Sequence, residues 1–248
     1  MKFTFGIITN NNIREVNLII DSIEKQRIPE YEIIIVGIDD VINRKKTKCI
    51  AFNENIYPGW ITRKKNIITQ HAVYENIVYM HDYIVLEDNW YTGFLNYGND
   101  FDIIVNKIIN SDGSRFRDWI LNIDFLKGMF LKNIRNVPTL NMRDTWIKTG
   151  EDITGKLNIP DNISTVFLEY ENDANQWQNY IYLSGAFFIC KKQVMLDFPL
   201  DEKLLHCQGE DVEWSQRVRT KYKFKINKYS SVKLLKYKHI TNTFLFKD

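Results

Sequence analysis

The sequence predicts an α/β fold built on a largely parallel sheet. Three observations carry that expectation: apolar runs of strand length recur, each is followed by a stretch of helical period, and polar or glycine turns close them. Residues 3–8 form the first apolar run. Asn12 and Glu15 then stand at capping-box spacing, and Val16, Ile19, Ile20 and Ile23 fall on one helical face. Pro29 ends that helix, residues 32–36 are a β-branched run of buried-strand type, and Gly37 with Asp39-Asp40 marks the turn after it. Residues 62–74 read as a helix with Ile67 and Ile68 inward, 77–80 as the next strand and 102–105 as another. Strands joined in this way run parallel, and such a sheet offers ligands the carboxyl ends of its strands. Asp39, His81 and Asp82 lie just past such ends, where a nucleotide site belongs.

Length and composition narrow the class. A chain of 248 residues suits one domain with its own core, able to bury about three quarters of its unfolded surface. Hydrophobic residues at 44% and charged residues at 26% argue against disorder. The first ten residues lack the apolar core of a signal peptide, and no apolar run reaches the length of a membrane span, so the expected address is the cytoplasm. Cys49, Cys190 and Cys207 are odd in number and lack metal-type spacing, which favours reduced thiols over a disulfide framework. A pI of 8.2 lies below the signature of basic nucleic-acid-binding domains.

Charge is nevertheless uneven. Residues 217–248 carry ten Lys or Arg against one acid, Asp248, with Tyr222, Phe224, Tyr229, Tyr237 and Phe244 interleaved. Such a stretch suits either an anionic membrane surface or a solvated strand face that also supplies counter-charge for a diphosphate. Between residues 111 and 180 the period loosens, punctuated by Arg115, Arg117, Trp119, Pro138, Trp146, Pro160 and Trp177. The segment reads as an acceptor-facing region with short helices, its Trp residues either core, lid or sugar-stacking.

The most concentrated chemistry is Gly209-Glu210-Asp211-Val212-Glu213-Trp214, two adjacent carboxylates opening a helix behind a glycine. Acids in a first turn are stabilised by unpaired amides and the helix dipole, so the pair is either a cap or a working site. Its surroundings tilt the choice. Upstream stand Leu183-Ser184-Gly185-Ala186-Phe187 and Phe198-Pro199-Leu200-Asp201-Glu202, and downstream an alternating Tyr222-Lys223-Phe224-Lys225-Ile226 and His239. In the amino-terminal half come Gly59, Arg63-Lys64-Lys65-Asn66, Ala72 and then His81-Asp82-Tyr83 after a strand.

This ordered set resembles the family 2-like glycosyltransferases with the GT-A fold, over most of residues 3–92 and 182–239. The resemblance implies a Rossmann-like nucleotide-binding sheet flanked by helices, with an acceptor-side insertion, in a single domain spanning 1–248. Residues 1–110 would be the nucleotide-sugar half and 111–248 the acceptor-binding and catalytic half. The implied activity is inverting transfer of a sugar from a nucleotide diphosphate sugar, UDP-linked, to a glycan or glycoconjugate acceptor in polysaccharide biosynthesis. The alternative is a non-catalytic relative that binds nucleotide sugar or glycan.

By the same resemblance Asp211 is the general base and Glu210 its neighbour orienting acceptor or base. Thr9, Asn10, Asp39, Arg63, Lys65, Asn66, His81, Asp82 and Gly185 line the donor pocket, Gly185 beside Ser184 and Ala186 keeping its floor small. The family holds Mn²⁺ or Mg²⁺ with an Asp-x-Asp triplet. Here that triplet reads His81-Asp82-Tyr83, so the implied metal ligands reduce to Asp82 and His239. Without a metal, Arg63, Lys64, Lys65 or the carboxyl-terminal lysines must neutralise the leaving group. Peripheral contact with the inner face of a membrane through the basic end completes the expectation.

Overall fold

The structure, a computed structural model, describes residues 1–39, 42–56, 58–132, 146–171 and 174–247. Asp40, Pro138 and Asp248, named above, lie outside the described residues. The first half runs β1 (Lys2–Ile8), α1 (Ile13–Lys25), β2 (Glu30–Val36), β3 (Thr47–Ile50), α2 (Ile61–His71), β4 (Asn76–His81), β5 (Ile84–Leu86), α3 (Trp90–Tyr97) and β6 (Ile103–Ile109). Short elements follow: β7 (Arg115–Phe116), β8 (Ile120–Leu121), α4 (Ile123–Leu126), β9 (Met129–Leu131), β10 (Trp146–Lys148) and β11 (Thr165–Leu168). The chain closes with β12 (Phe187–Lys191), α5 (Lys192–Asp197), α6 (Glu210–Val218), β13 (Phe224–Leu234) and β14 (Thr243–Phe246).

The central sheet has the order β3-β2-β1-β4-β12-β6-β13-β5, with β7 on β6. Strands β3, β2, β1 and β4 pair in parallel, as the alternation of elements requires. The sheet is mixed rather than largely parallel, because β12 inserts antiparallel between β4 and β6 and β5 runs antiparallel to β13. Two cores result from the two-residue period of the strands. Phe3, Phe5 and Ile7 of β1, with Ile33 and Ile35 of β2, face α1 and α3. Ile34 and Val36 of β2, with Ile77 and Tyr79 of β4, face α2 and α6. Gly6 allows this second layer to close on β1, since a Cβ there would meet the Ile68 side chain at 2.4 Å.

Helix α1 buries Val16, Ile19, Ile20 and Ile23, the face that the spacing predicts. Its start differs. Asn12 occupies the N-cap without a side-chain cap hydrogen bond, and the Thr9 hydroxyl instead accepts from the Asn12 amide at 3.0 Å. The Asn12–Glu15 capping box is therefore replaced by a bond to a residue three positions further back, which ties the helix start to the end of β1.

The 111–180 segment builds two small sheets, β10-β9 and, with β14 from the end of the chain, β14-β11-β8. Trp119 and Trp177 are buried in the core that also holds α6, and Trp146 packs against Leu131 and Leu204. The sugar-stacking reading of Trp119 and Trp177 gives way to core packing, because neither ring has a face to offer solvent.

Candidate active site

The strand directions bring the sequence-distant pieces together. Because β12 is antiparallel to β4, its start rather than its end lies beside the carboxyl end of β4. The His81 amide accordingly donates to the Ala186 carbonyl at 3.1 Å. Helix α6 then sets its first turn against the same loop: the Gly185 amide donates to Asp211 Oδ2 at 2.9 Å, and the Val212 amide donates to Asp211 Oδ1 at 2.9 Å. A side chain at Gly185 would crowd both acids. A Cβ there would lie 3.2 Å from Glu210 Oε1 and 3.4 Å from Asp211 Oδ2.

Glu210 and Asp211 differ in what surrounds them. Glu210 is buried, and burial followed by repulsion from Asp211 pushes its carboxyl up to about 7. Lys65, itself 1% exposed, opposes that shift. Its ammonium donates to the Gly185 carbonyl at 2.5 Å, and burial lowers its pKa while Glu210 and Asp211 pull it back. A buried cation and two acids thus share one loop. On the far side of Asp211, burial and then Asp211 itself raise the Tyr182 hydroxyl, which pairs with Arg117.

An open cavity of about 270 Å³ adjoins this cluster, lined by Thr9, Asn10, Glu54, Gly59, Lys64, His81, Asp82, Tyr83, His206, Lys236 and Lys238 among others. Thr9 Oγ1 donates to Asp82 Oδ2 at 2.7 Å, and Lys64 donates to the Thr9 carbonyl at 2.5 Å and pairs with Glu54. Burial draws the Lys64 ammonium down to about 8, against the pull of Asp82, so it stays mostly protonated at neutral pH. Gly37 closes this corner. Its φ is +101°, and a Cβ would stand 2.0 Å from the Thr9 carbonyl oxygen. Burial, and then Lys65, hold the His81 imidazole well below its ordinary pKa, so it is a neutral ring. A larger cavity, about 380 Å³, opens beside the start of β13, where none of the candidate site residues lies.

Three sequence-predicted donor residues are used elsewhere. Arg63 holds Glu202 at 3.0 and 3.1 Å. The Asn66 side chain donates to the Leu200 carbonyl and to Glu202, and accepts from the Leu200 amide at 3.1 Å. Both clamp the Pro199–Glu202 turn to α2 and do not line the cavity. Asp39 is exposed beyond β2, its amide donating to Asn11 Oδ1 at 3.4 Å, and it also stays outside the lining. Conversely Glu54, His206, Lys236 and Lys238 enter from loops without a motif. Only the basic run at the end of the chain hinted at two of them.

The metal ligands implied by the resemblance do not fit this geometry. Asp82 already accepts from Thr9, and Tyr83 stands where a second acid would be. His239 is exposed and outside the cavity lining, where its neighbour Lys238 is found instead. Among the described residues no group of three His, Cys, Asp or Glu side chains is placed to hold a metal ion. Lys64, Lys236 and Lys238 line the cavity with Glu54 and Asp82, and because Glu54 pairs with Lys64 the remaining balance is positive and suits an anion.

The comparisons follow this geometry. No family model and no curated protein sequence matches the chain. Solved structures do. It superposes on S. aureus TarS residues 1–349 with a TM-score of 0.53 at 14% identity, covering 93% of this chain and 60% of that one. The same TarS fragment in complex with UDP gives 0.51 at 14%, over 94% and 61%. GalNAc-T7 with UDP, GalNAc and Mn²⁺ gives 0.56 at 13%, over 98% and 44%. TarS and GalNAc-T7 are GT-A glycosyltransferases. The chain has the GT-A fold. It spans about 60% of TarS 1–349 and 44% of GalNAc-T7. Within the GT-A sheet the cavity described above lies at the carboxyl ends of β1 and β4, the end at which open α/β sheets take their ligands.

Among the described residues no helix is long and apolar enough to cross a membrane. Five of the ten cations of the basic run form ion pairs within the chain: Arg217 with Glu213, Lys221 with Asp197, Lys225 with Asp100, Lys228 with Glu171 and Lys247 with Glu169.

Proposed function

We propose that this chain is a glycosyltransferase that takes a nucleotide diphosphate sugar, UDP-linked, in the cavity of Thr9, Asn10, Asp82 and Tyr83. The sugar passes to a hydroxyl of a glycan or glycoconjugate acceptor beside Asp211. The observation that carries the reading is the juncture at Gly185, where a side-chain-free loop separates the nucleotide-end cavity from two carboxylates and a buried lysine. The TarS fragment bound to UDP and GalNAc-T7 bound to UDP and GalNAc support the same donor class.

The chemistry follows from the placement. The acceptor oxygen attacks the anomeric carbon, the bond from that carbon to the diphosphate oxygen breaks, and the nucleoside diphosphate leaves with the electron pair. Asp211 takes the hydroxyl proton. Two backbone amides hold its carboxylate in one orientation, so no reorganisation is needed when the proton moves. Direct attack inverts the anomeric configuration. Glu210, its carboxyl pushed up to about 7, is partly protonated at neutral pH, which reduces the negative charge beside the departing diphosphate, and it is the neighbour that orients Asp211. Residues 1–110 supply most of the donor side, and 111–248 supply the base, the His206, Lys236 and Lys238 wall of the donor cavity and, through Tyr182 and Arg117, the acceptor side.

Calorimetric titration with a panel of nucleoside diphosphates and nucleotide sugars tests the reading. Selective binding of one nucleotide, weakened by Thr9→Ala and Asp82→Ala, is expected. Absence of binding across the panel would show the chain to be no nucleotide-sugar enzyme.

A further inference from the structure

The departing diphosphate needs positive charge, and the chain's cations are not equally free to give it. Arg63 is held by Glu202, Lys64 by Glu54 and the Thr9 carbonyl, and Lys65 by the Gly185 carbonyl. Lys236 and Lys238 are different. Both line the cavity, and neither forms an ion pair among the described residues.

Their ammonium groups converge on one ring. Lys236 Nζ lies 4.8 Å and Lys238 Nζ 4.4 Å from the centroid of Tyr83, within cation–π range. Tyr83 is the residue that stands in place of the last acid of the triplet, at the turn between β4 and β5. An acid at this point would draw a divalent ion. The ring instead gathers two single charges at the same place, the same total charge without an ion to recruit.

The backbone fixes the arrangement. The Leu235 amide donates to the Tyr83 carbonyl at 2.8 Å. The Lys238 amide donates to Asn110 Oδ1 at 2.9 Å, and Asn110 Nδ2 donates to the Lys238 carbonyl at 2.7 Å, from a side chain 1% exposed. The Lys238 backbone and the start of the loop that carries Lys236 are thus anchored before any ligand arrives, which lowers the entropy cost of closing on an anion. Repulsion between them is expressed in Lys238, whose ammonium is lowered first by burial and then by Lys236. A bridging anion would relieve that repulsion.

We infer that the Lys236–Lys238 pair, seated on the Tyr83 ring, neutralises the donor diphosphate in place of a divalent metal ion. The inference rests on the proposed donor site and deepens it. Each ammonium donates to a phosphate oxygen, and Asp82, bonded to Thr9, orders the loop between them rather than ligating metal.

The test is titration of the full chain with UDP and the other nucleoside diphosphates, in chelator and in Mn²⁺ or Mg²⁺. It is repeated with K236A/K238A and with Tyr83→Leu. The expected result is an affinity that chelator leaves within about threefold, and a loss of about 150-fold or more in the double lysine variant, equal to two charged hydrogen bonds. Tyr83→Leu, which keeps both charges and removes their platform, is expected to lose less. A tenfold or larger loss in chelator, or unchanged affinity in K236A/K238A, overturns the inference and leaves the donor site standing. Failure of every nucleoside diphosphate to bind in either condition overturns both.

Discussion

Replacing Asp211 by Asn removes a proton acceptor while changing little else in shape. Asp211 receives two backbone amides at 2.9 Å, one on each carboxylate oxygen. In the Asn variant one oxygen remains, and the amide NH₂ must confront one of those N–H donors. The lost charged hydrogen bond costs about 1.5–3 kcal/mol. Part is returned because Glu210 no longer faces a like charge. Net destabilisation of about 1–2 kcal/mol lowers Tm by a few degrees, roughly 2–8 °C for a chain of this size. Turnover falls much further, by about 10²–10⁴, the usual contribution of a positioned base. The assay is release of nucleoside diphosphate from the bound nucleotide sugar with an acceptor mixture, run beside a calorimetric Kd for the donor. An affinity that falls in step with turnover, or a turnover that stays within about threefold of wild type, would refute the assignment, since removal of a base alone leaves the donor's ground-state contacts intact.

Two further outcomes follow from the same cluster. Lys65→Met keeps the length of a side chain that is 1% exposed but deletes the only cation bonded to the Gly185 carbonyl among the described residues. Leaving Glu210 and Asp211 without it costs about 3–5 kcal/mol and lowers Tm by roughly 10 °C, and adding Glu210→Gln should recover part of the loss; thermal unfolding of the three proteins decides it. Stability should also fall as pH rises. Glu210 is raised from 4.5 to about 7, so the folded state holds a proton that the unfolded chain releases. The stabilisation is complete below about 4.5 and is lost as pH passes about 7, on the order of 3 kcal/mol in all. Urea unfolding at pH 5 and pH 8 should show the decline in wild type and lack it in Glu210→Gln.

The sequence by itself determined the main strand and helix alternation of the first half and singled out the acidic pair to which the proposed chemistry is given. Helix α1, strands β1, β2 and β4 and the buried face of Val16, Ile19, Ile20 and Ile23 follow from local period, because each of these elements buries one stripe against a single sheet. The Glu210–Asp211 pair was visible because adjacent acids and a glycine are contiguous in the chain. What the tertiary structure alone decided is the company they keep. Local patterning carries no sign of strand direction, and the antiparallel β12 is what sets Gly185 beside His81 and Asp211. It also decided that Arg63 and Asn66 bind the Pro199–Glu202 turn while Lys238, and not His239, reaches the cavity. A cation's role depends on which partner is nearest in space, and Glu202, Glu54 and Tyr83 lie 139, 10 and more than 150 residues from the cations they claim, separations that no residue spacing records.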